Sequence, residues 1–172
     1  ILTHSYYIFI NNILLINNTL IQEVRENGLP EIYLFNLTSK NIIRLPFEDS
    51  AYDVWINQSH SDTKNFFYNY TSLLRPQVIY KLDIDNLKSE IVWEKEVVGF
   101  SRDTYEDNRC FITARDGEQI PVITVSKKGI DYKKSPILFY GYGSYGINID
   151  ATFRQSIIPL LDKGFIFSIL NI

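Results

Sequence analysis

The sequence predicts a mixed fold: an all-β region up to about residue 100, followed by the start of a parallel α/β sheet. Three observations support this prediction. Before Phe100, short apolar runs alternate with turn-forming residues and show no helical period. The segment PEIYLFNL from Pro30 is similar to PQVIYKLDI from Pro76, with one residue inserted. After Pro136 a strand, a glycine-rich loop, a helix and a second strand follow one another. The predicted domains are therefore residues 1–100 and 101–172, both incomplete.

The first region divides into two groups of predicted strands. The first group has a turn at Asn11-Asn12 and contains Tyr6–Ile10, Ile13–Ile16, Thr19–Arg25, Glu31–Leu37 and Ile42–Leu45. The second group contains Asn65–Tyr70, Val78–Ile84 and Glu90–Glu94, with a turn at Asp85-Asn86. Repeats of roughly 40–50 residues made of short strands are typical of propeller blades. Two weakly similar copies fit an unrelated β-meander equally well.

The second region begins with a predicted hairpin. Its strands are Arg109–Ala114 and Gln119–Ser126, joined around Asp116-Gly117, a pair that favours a type I′ turn. Pro136–Tyr140 has the continuous apolar character of a buried strand, and FIFSILNI after Gly164 has the same character. A strand–helix–strand order predicts a βαβ unit and therefore the start of a parallel α/β sheet.

The helix between those two strands is predicted over Ala151–Leu161, where apolar residues recur at helical spacing. Gly164 is placed to end it as a C-cap glycine. Pro159 lies inside the predicted helix and indicates a kink or a break.

Composition excludes several classes of function. The net charge is −3 and the sequence pI is about 5.4, which opposes a nucleic-acid or anionic-membrane surface. No apolar run approaches the ~20 residues of a membrane span, and the first residues lack the features of a signal peptide. We therefore expect a cytoplasmic protein with neither a membrane nor a nucleic-acid partner. The sequence contains no methionine, so we also expect a fragment, a processed product or an unusual start.

Metal and disulfide chemistry are not expected. Cys110 is the single cysteine, and only His4 and His60 accompany it, so a zinc site of the usual Cys/His type cannot be assembled. Cys110 is predicted to be a small buried hydrophobe in a strand. No cofactor or metal is predicted.

The stretch YGYGSYG, Tyr140–Gly146, is the candidate functional loop, and two interpretations of it fail. Its glycines fit the dinucleotide pattern G-x-G-x-x-G, but the helix starts too late and the next strand ends without the expected acidic residue. Ser144 does not fit the nucleophile pattern G-x-S-x-G, because Gly143 directly precedes it and Tyr145 is not small. A third interpretation is a loop that donates a tyrosine hydroxyl to an oxyanion. On the residues alone, a simple tight turn is favoured over that role.

The run PILFYGYGSYGINIDATFRQSIIPLLDKGFIFSILNI resembles the start of the catalytic domain in the prolyl oligopeptidase family of serine peptidases, especially the oligopeptidase B (protease II) branch. RCFITARDGEQIPVITV is similar to the first hairpin of that hydrolase domain. YTSLLRPQVIYKLDIDN is similar to the last propeller blade, and VRENGLPEIYLFNL with FEDSAYDVWI to the blade before it. The resemblance covers essentially the whole chain in order.

This resemblance implies a β-propeller that caps an α/β-hydrolase domain, and hydrolysis of short peptides after Arg or Lys by a Ser-Asp-His triad without a cofactor. Tyr142 matches the oxyanion-hole tyrosine of the family. The triad residues match no position of this chain and are expected beyond residue 172, so the chain is expected to be inactive alone. Two alternatives are a non-catalytic β-rich module that binds peptides or partners, and one half of a split enzyme complemented by the remaining part of the peptidase.

Overall fold

The computed structural model describes residues 8–57 and 64–171, and these form three four-stranded sheets with one short α-helix. The chain divides into two compact units. The first contains the described residues of Ile1–Glu48, Asp53–Tyr70 and Gln77–Lys95. The second contains Asp49–Tyr52, Thr71–Pro76 and the described residues of Glu96–Ile172. Within the described residues, no helix is long and apolar enough to cross a membrane.

The first sheet is an antiparallel meander with strands in chain order. Its strands are β1 (Ile8–Ile16), β2 (Thr19–Glu26), β3 (Leu29–Asn36) and β4 (Ile42–Arg44). The β2–β3 turn is Asn27-Gly28, with φ of 51° and 81°, as a tight hairpin turn of right-handed twist requires. The core of this sheet includes Ile21, Val24 and Ile32, all fully buried.

The predicted turn at Asn11-Asn12 is wrong, because β1 runs through it as one strand. A register shift between Ile10 and Asn12 marks a β-bulge instead. The Asn12 side chain accepts a hydrogen bond from the Ile13 N–H at 2.9 Å. Asparagine offers the backbone such local bonds at turns and at irregular strand positions alike, so the residue type did not distinguish the two.

Tyr33 on β3 makes the first unit sensitive to alkaline pH. Its hydroxyl donates a hydrogen bond to the Glu26 carboxylate at 2.7 Å. Burial, and then this bond, raise the pKa of Tyr33 from 10.0 to about 12. The folded state therefore favours the neutral phenol, so the associated stability is present below pH 10 and is lost as the pH rises towards 12.

We expect Tyr33→Phe to weaken this dependence. The free energy of unfolding, measured by urea denaturation at several values between pH 10 and 12, should fall less steeply with pH in the variant than in the parent. Equal slopes in the two proteins would show that Tyr33 ionises as easily in the folded as in the unfolded chain.

The second sheet has the order β5 (Tyr52–Asn57), β6 (Asn65–Ser72), β7 (Arg75–Asp83) and β8 (Lys88–Glu94). Strand β5 was not predicted, although its buried positions alternate with half-buried ones at the period of a strand. Stacked rings fill this part of the unit: Tyr68 lies against Tyr80 with ring centroids 5.1 Å apart. The Glu23 carboxylate of the first sheet accepts a hydrogen bond from the Ile56 N–H at 3.0 Å, which ties the two sheets together.

The repeat predicted from the two prolines agrees with the strand order. Pro30 is the second residue of β3 and Pro76 is the second residue of β7. Each strand is the third in its sheet. The two copies therefore align strand for strand.

The third sheet belongs to the second unit and has the order β11 (Ile137–Gly141), β12 (Ile166–Leu170), β10 (Gln119–Lys127) and β9 (Tyr105–Thr113). Strands β9 and β10 form the predicted antiparallel hairpin, and β11 pairs with β12 in the predicted parallel direction. The turn type at Asp116-Gly117 was predicted wrongly. Gly117, with φ of 94°, donates its N–H to the Ala114 carbonyl, so the loop is a wider turn that ends on a left-handed glycine.

The helix is shorter than predicted. Only Gln155–Ile157, as a 3₁₀ turn, and α1 (Ile158–Asp162) are helical, whereas 151–154 are irregular. Pro159 lies in the first turn of α1, the one place where its missing N–H has no cost, so the helix starts at the proline instead of running through it. The predicted C-cap is confirmed: Gly164 has φ of 84°, and the Phe165 N–H reaches the Leu160 carbonyl at 3.1 Å.

Candidate active-site loop

The YGYGSYG segment leaves the third sheet at the carboxyl end of β11. The parallel register places Gly141 opposite Leu170, the last residue of β12. A Cβ atom on Gly141 would lie 3.2 Å from the Leu170 carbonyl oxygen, closer than most side chains tolerate. Glycine at this position therefore lets the two strands approach where the loop begins. In open α/β sheets the carboxyl ends of parallel strands are the edge where ligands bind.

The middle of the loop is a tight turn. The Ile147 N–H donates to the Ser144 carbonyl at 3.1 Å, and the two residues between them have positive φ, 58° at Tyr145 and 66° at Gly146. A non-glycine residue in this region is strained by about 1–2 kcal/mol. The tight-turn interpretation is thus correct for this part of the loop. Ser144, which we excluded as a nucleophile, closes the turn with its backbone carbonyl.

Two contacts outside the turn were not predicted. The side-chain amide of Asn171, directly after β12, accepts from the Ile149 N–H at 2.8 Å and donates to the Ile149 carbonyl at 3.1 Å. The Arg154 guanidinium lies over the Tyr140 ring, 4.6 Å from its centroid. The available signal for Asn171 is a polar residue at the end of a buried parallel strand, and the sequence analysis did not use it, whereas the Arg154 contact has no local sequence signal.

Tyr142 is the first residue after β11, and its side chain is 40% exposed. Within the described residues its hydroxyl makes no hydrogen bond to protein, so it is available to an external acceptor. A phenol is a neutral hydrogen-bond donor that can stabilise developing negative charge on a carbonyl oxygen.

Two predictions of burial are wrong. Strand β11 is exposed along its whole length, with Phe139 60% exposed, so the described residues leave both of its faces largely uncovered. Cys110 on β9 is also exposed. The apolar composition of a strand predicts that its side chains are covered, but it does not indicate which part of the protein covers them. His4 and His60 lie outside the described residues.

The family described as "Prolyl oligopeptidase, N-terminal beta-propeller domain" matches residues 1–95. The chain belongs to the prolyl oligopeptidase family. Protease 2 of Moraxella lacunata is 30% identical over 146 residues, which cover 83% of this chain and 21% of the relative. The prolyl endopeptidase of Elizabethkingia miricola is 29% identical over 150 residues, which cover 86% of this chain and 21% of that relative. The chain thus spans about a fifth of the curated relatives it matches.

Solved structures agree with this membership of the family. Oligopeptidase B from Trypanosoma brucei, with antipain covalently bound, has a TM-score of 0.88 and 27% identity, over 98% of this chain and 25% of that one. Oligopeptidase B from Leishmania major has the same TM-score and coverage, with 28% identity. The chain is therefore an oligopeptidase B-like member of the family. The family match over residues 1–95 agrees with the propeller predicted for the first region.

Proposed function

We propose that this chain is a portion of a serine oligopeptidase that hydrolyses short peptides after Arg or Lys, with the Tyr142 hydroxyl as one donor of the oxyanion hole. The observation that carries the proposal is the position of Tyr142. It leaves the carboxyl end of a parallel strand with an exposed and uncommitted hydroxyl, in a chain of this peptidase family.

The proposal assigns residues 1–100 to the last two blades of the propeller and residues 101–172 to the start of an α/β-hydrolase domain. The repeat of Pro30 and Pro76 supports the first assignment. The hairpin β9–β10 followed by the parallel pair β11–β12 supports the second. The family match, which ends at residue 95, is compatible with this boundary.

In the mechanism we propose, the downstream serine attacks the scissile carbonyl and histidine transfers its proton. The carbonyl oxygen becomes negatively charged in the tetrahedral intermediate. Tyr142 donates a hydrogen bond to that oxygen together with a backbone N–H, and such donors act mainly on the transition state. Arg or Lys specificity rests on the similarity to oligopeptidases B, and its determinants belong to the downstream part of the enzyme.

Substrate preference tests this function directly. The protein is captured, with an antibody to residues 101–171, from cells that express the sequence, and is given fluorogenic peptides with Arg, Lys or Pro before the scissile bond. We expect hydrolysis after Arg and Lys to exceed hydrolysis after Pro. A preference for Pro would overturn the specificity and leave the reaction class standing, whereas no hydrolysis of any peptide would favour the non-catalytic binding module.

Exposed apolar strands support the proposal that the remaining part of the peptidase packs on this chain. On β1 the side chains of Phe9, Ile13 and Leu15 are 50–70% exposed, and β11 is exposed throughout. Uncovered strands of this kind are aggregation hazards.

We therefore expect the chain expressed alone to be poorly soluble, and its soluble yield to rise on co-expression with the downstream catalytic segment of protease 2 from Moraxella lacunata. Co-expression with an unrelated protein of equal size is the control. A soluble yield that is equally high without the catalytic segment would favour the binding-module alternative.

A further inference from the structure

The Asn171 side chain forms a two-way bridge to the backbone of Ile149. Its Oδ1 accepts from the Ile149 N–H and its Nδ2 donates to the Ile149 carbonyl, at 2.8 and 3.1 Å. Both backbone groups of Ile149, a residue in an irregular segment, are thereby satisfied by one amide. Aspartate has the acceptor without the donor, and leucine has a similar shape with neither.

This bridge lies at the sheet end from which Tyr142 departs. Asn171 follows Leu170 directly, and Leu170 is the register partner of Gly141. The loop from Tyr142 to Ile149 is therefore anchored at its start by the pairing of Gly141 with β12, and at its end by the residue that follows β12.

Between these two anchors the loop has little support of its own. The turn bond from the Ile147 N–H to the Ser144 carbonyl is the only backbone hydrogen bond that the described residues place between 142 and 148. The turn also contains the strained Tyr145. A strained loop keeps one conformation only when its surroundings determine it, so its ends must be held.

We propose that Asn171 is a positioning residue that fixes the loop carrying Tyr142, so that the Tyr142 hydroxyl is held in place for the oxyanion. This inference rests on the proposed function of Tyr142. Asn171 itself touches no reacting atom and acts through the loop. Because misplacement of a catalytic group by about 1 Å can cost about 10²-fold in rate, loss of the bridge should affect turnover more than substrate binding.

The test uses a completed peptidase, which we define as protease 2 from Moraxella lacunata with this chain in place of its matching segment, so that both the upstream propeller blades and the downstream catalytic segment are present. Asn171→Leu removes both hydrogen bonds, and Asn171→Asp replaces the donor with a charged acceptor that faces the Ile149 carbonyl oxygen. We expect kcat to fall about 10- to 100-fold in both variants, with KM little changed. Asn108→Leu, at an exposed position of β9, is the matched control and should keep the parent kcat.

A double-mutant cycle separates positioning from a general structural role. If Asn171 acts through Tyr142, then Asn171→Leu should add little to the loss of kcat already caused by Tyr142→Phe. Fully multiplicative losses would overturn the inference, because they would mean that Asn171 acts independently of Tyr142. The inference would also be overturned if Asn171→Leu kept the parent kcat while Tyr142→Phe lowered it.

Hydrogen exchange provides a readout that does not depend on activity. The Ile149 amide should be protected in the parent and should exchange faster in Asn171→Leu. Unchanged exchange in Asn171→Leu would contradict the bridge itself. A normal kcat in Tyr142→Phe would instead contradict the proposed function of Tyr142, so the two failures are distinguishable.

Discussion

Replacing Tyr142 with phenylalanine in the completed peptidase is expected to lower kcat by about 10²- to 10³-fold, equivalent to ~2.7–4 kcal/mol of transition-state stabilisation. The substitution removes one hydroxyl and keeps the ring. A donor that serves the oxyanion contributes little while the substrate carbonyl is still neutral, so KM should change little. Steady-state kinetics with a fluorogenic Arg peptide measures both constants.

Tyr145→Phe is the matched control for this experiment. Tyr145 lies in the same loop, loses the same hydroxyl on substitution, and is 93% exposed in the structure. It should keep the parent kcat. Equal effects of the two substitutions would contradict the assignment of the oxyanion role to Tyr142, and so would a parent-like kcat in Tyr142→Phe.

Replacing Phe66 with alanine is expected to have the largest effect on stability, a loss of about 3–5 kcal/mol in the free energy of unfolding. Phe66 lies on β6, within the second sheet, and its side chain is fully buried. Its ring is 5.9 Å from that of Tyr68, so truncation opens a cavity beside the aromatic stack. The cost combines the lost burial of the ring with the cavity that remains.

Urea denaturation at low protein concentration, followed by the fluorescence of Trp55 and Trp93, measures this loss. Both tryptophans lie in the same sheet as Phe66. The matched control is Phe9→Ala, because Phe9 is 70% exposed and its loss should change stability by only about 0.5 kcal/mol. Equal effects at the two positions would contradict the packing of the first unit.

Local patterns predicted most of the strands because each signal lies within the strand or the turn beside it. Alternating apolar residues identified β2, β3 and β7, and the two prolines related the sheets to one another. The parallel pair β11–β12 followed from the order of strand, helix and strand. These features depend on residues that are close to one another along the chain, so the patterns that produce them can be seen in the sequence.

The features that were predicted wrongly or missed depend on the fold as a whole. Whether β11 is buried depends on what packs against its two faces, not on its apolar composition, and the described residues leave it exposed. The Asn171–Ile149 bridge joins residues that only the parallel pairing brings together. Pro159 indicates an interruption of the helix, but the sequence does not show that the α-helix begins beside it.

The proposed role of Tyr142 rests on family resemblance, since the residues alone favour a plain turn. The structure describes that turn at Ser144–Ile147, whereas Tyr142 lies before it, next to β11. The seven-residue motif therefore contains two separate features: a strained turn in its second half and an exposed tyrosine in its first half.

Labelling of the native protein shows whether this chain forms part of a serine peptidase. Cells that express the sequence are treated with a fluorophosphonate probe, which reacts with activated serines, and the protein is captured with an antibody to residues 101–171 for measurement of its intact mass. We predict a labelled species several times larger than 20.1 kDa, whose labelled serine lies downstream of residue 172. An unlabelled species of about 20.1 kDa, with no associated labelled polypeptide, would contradict the account.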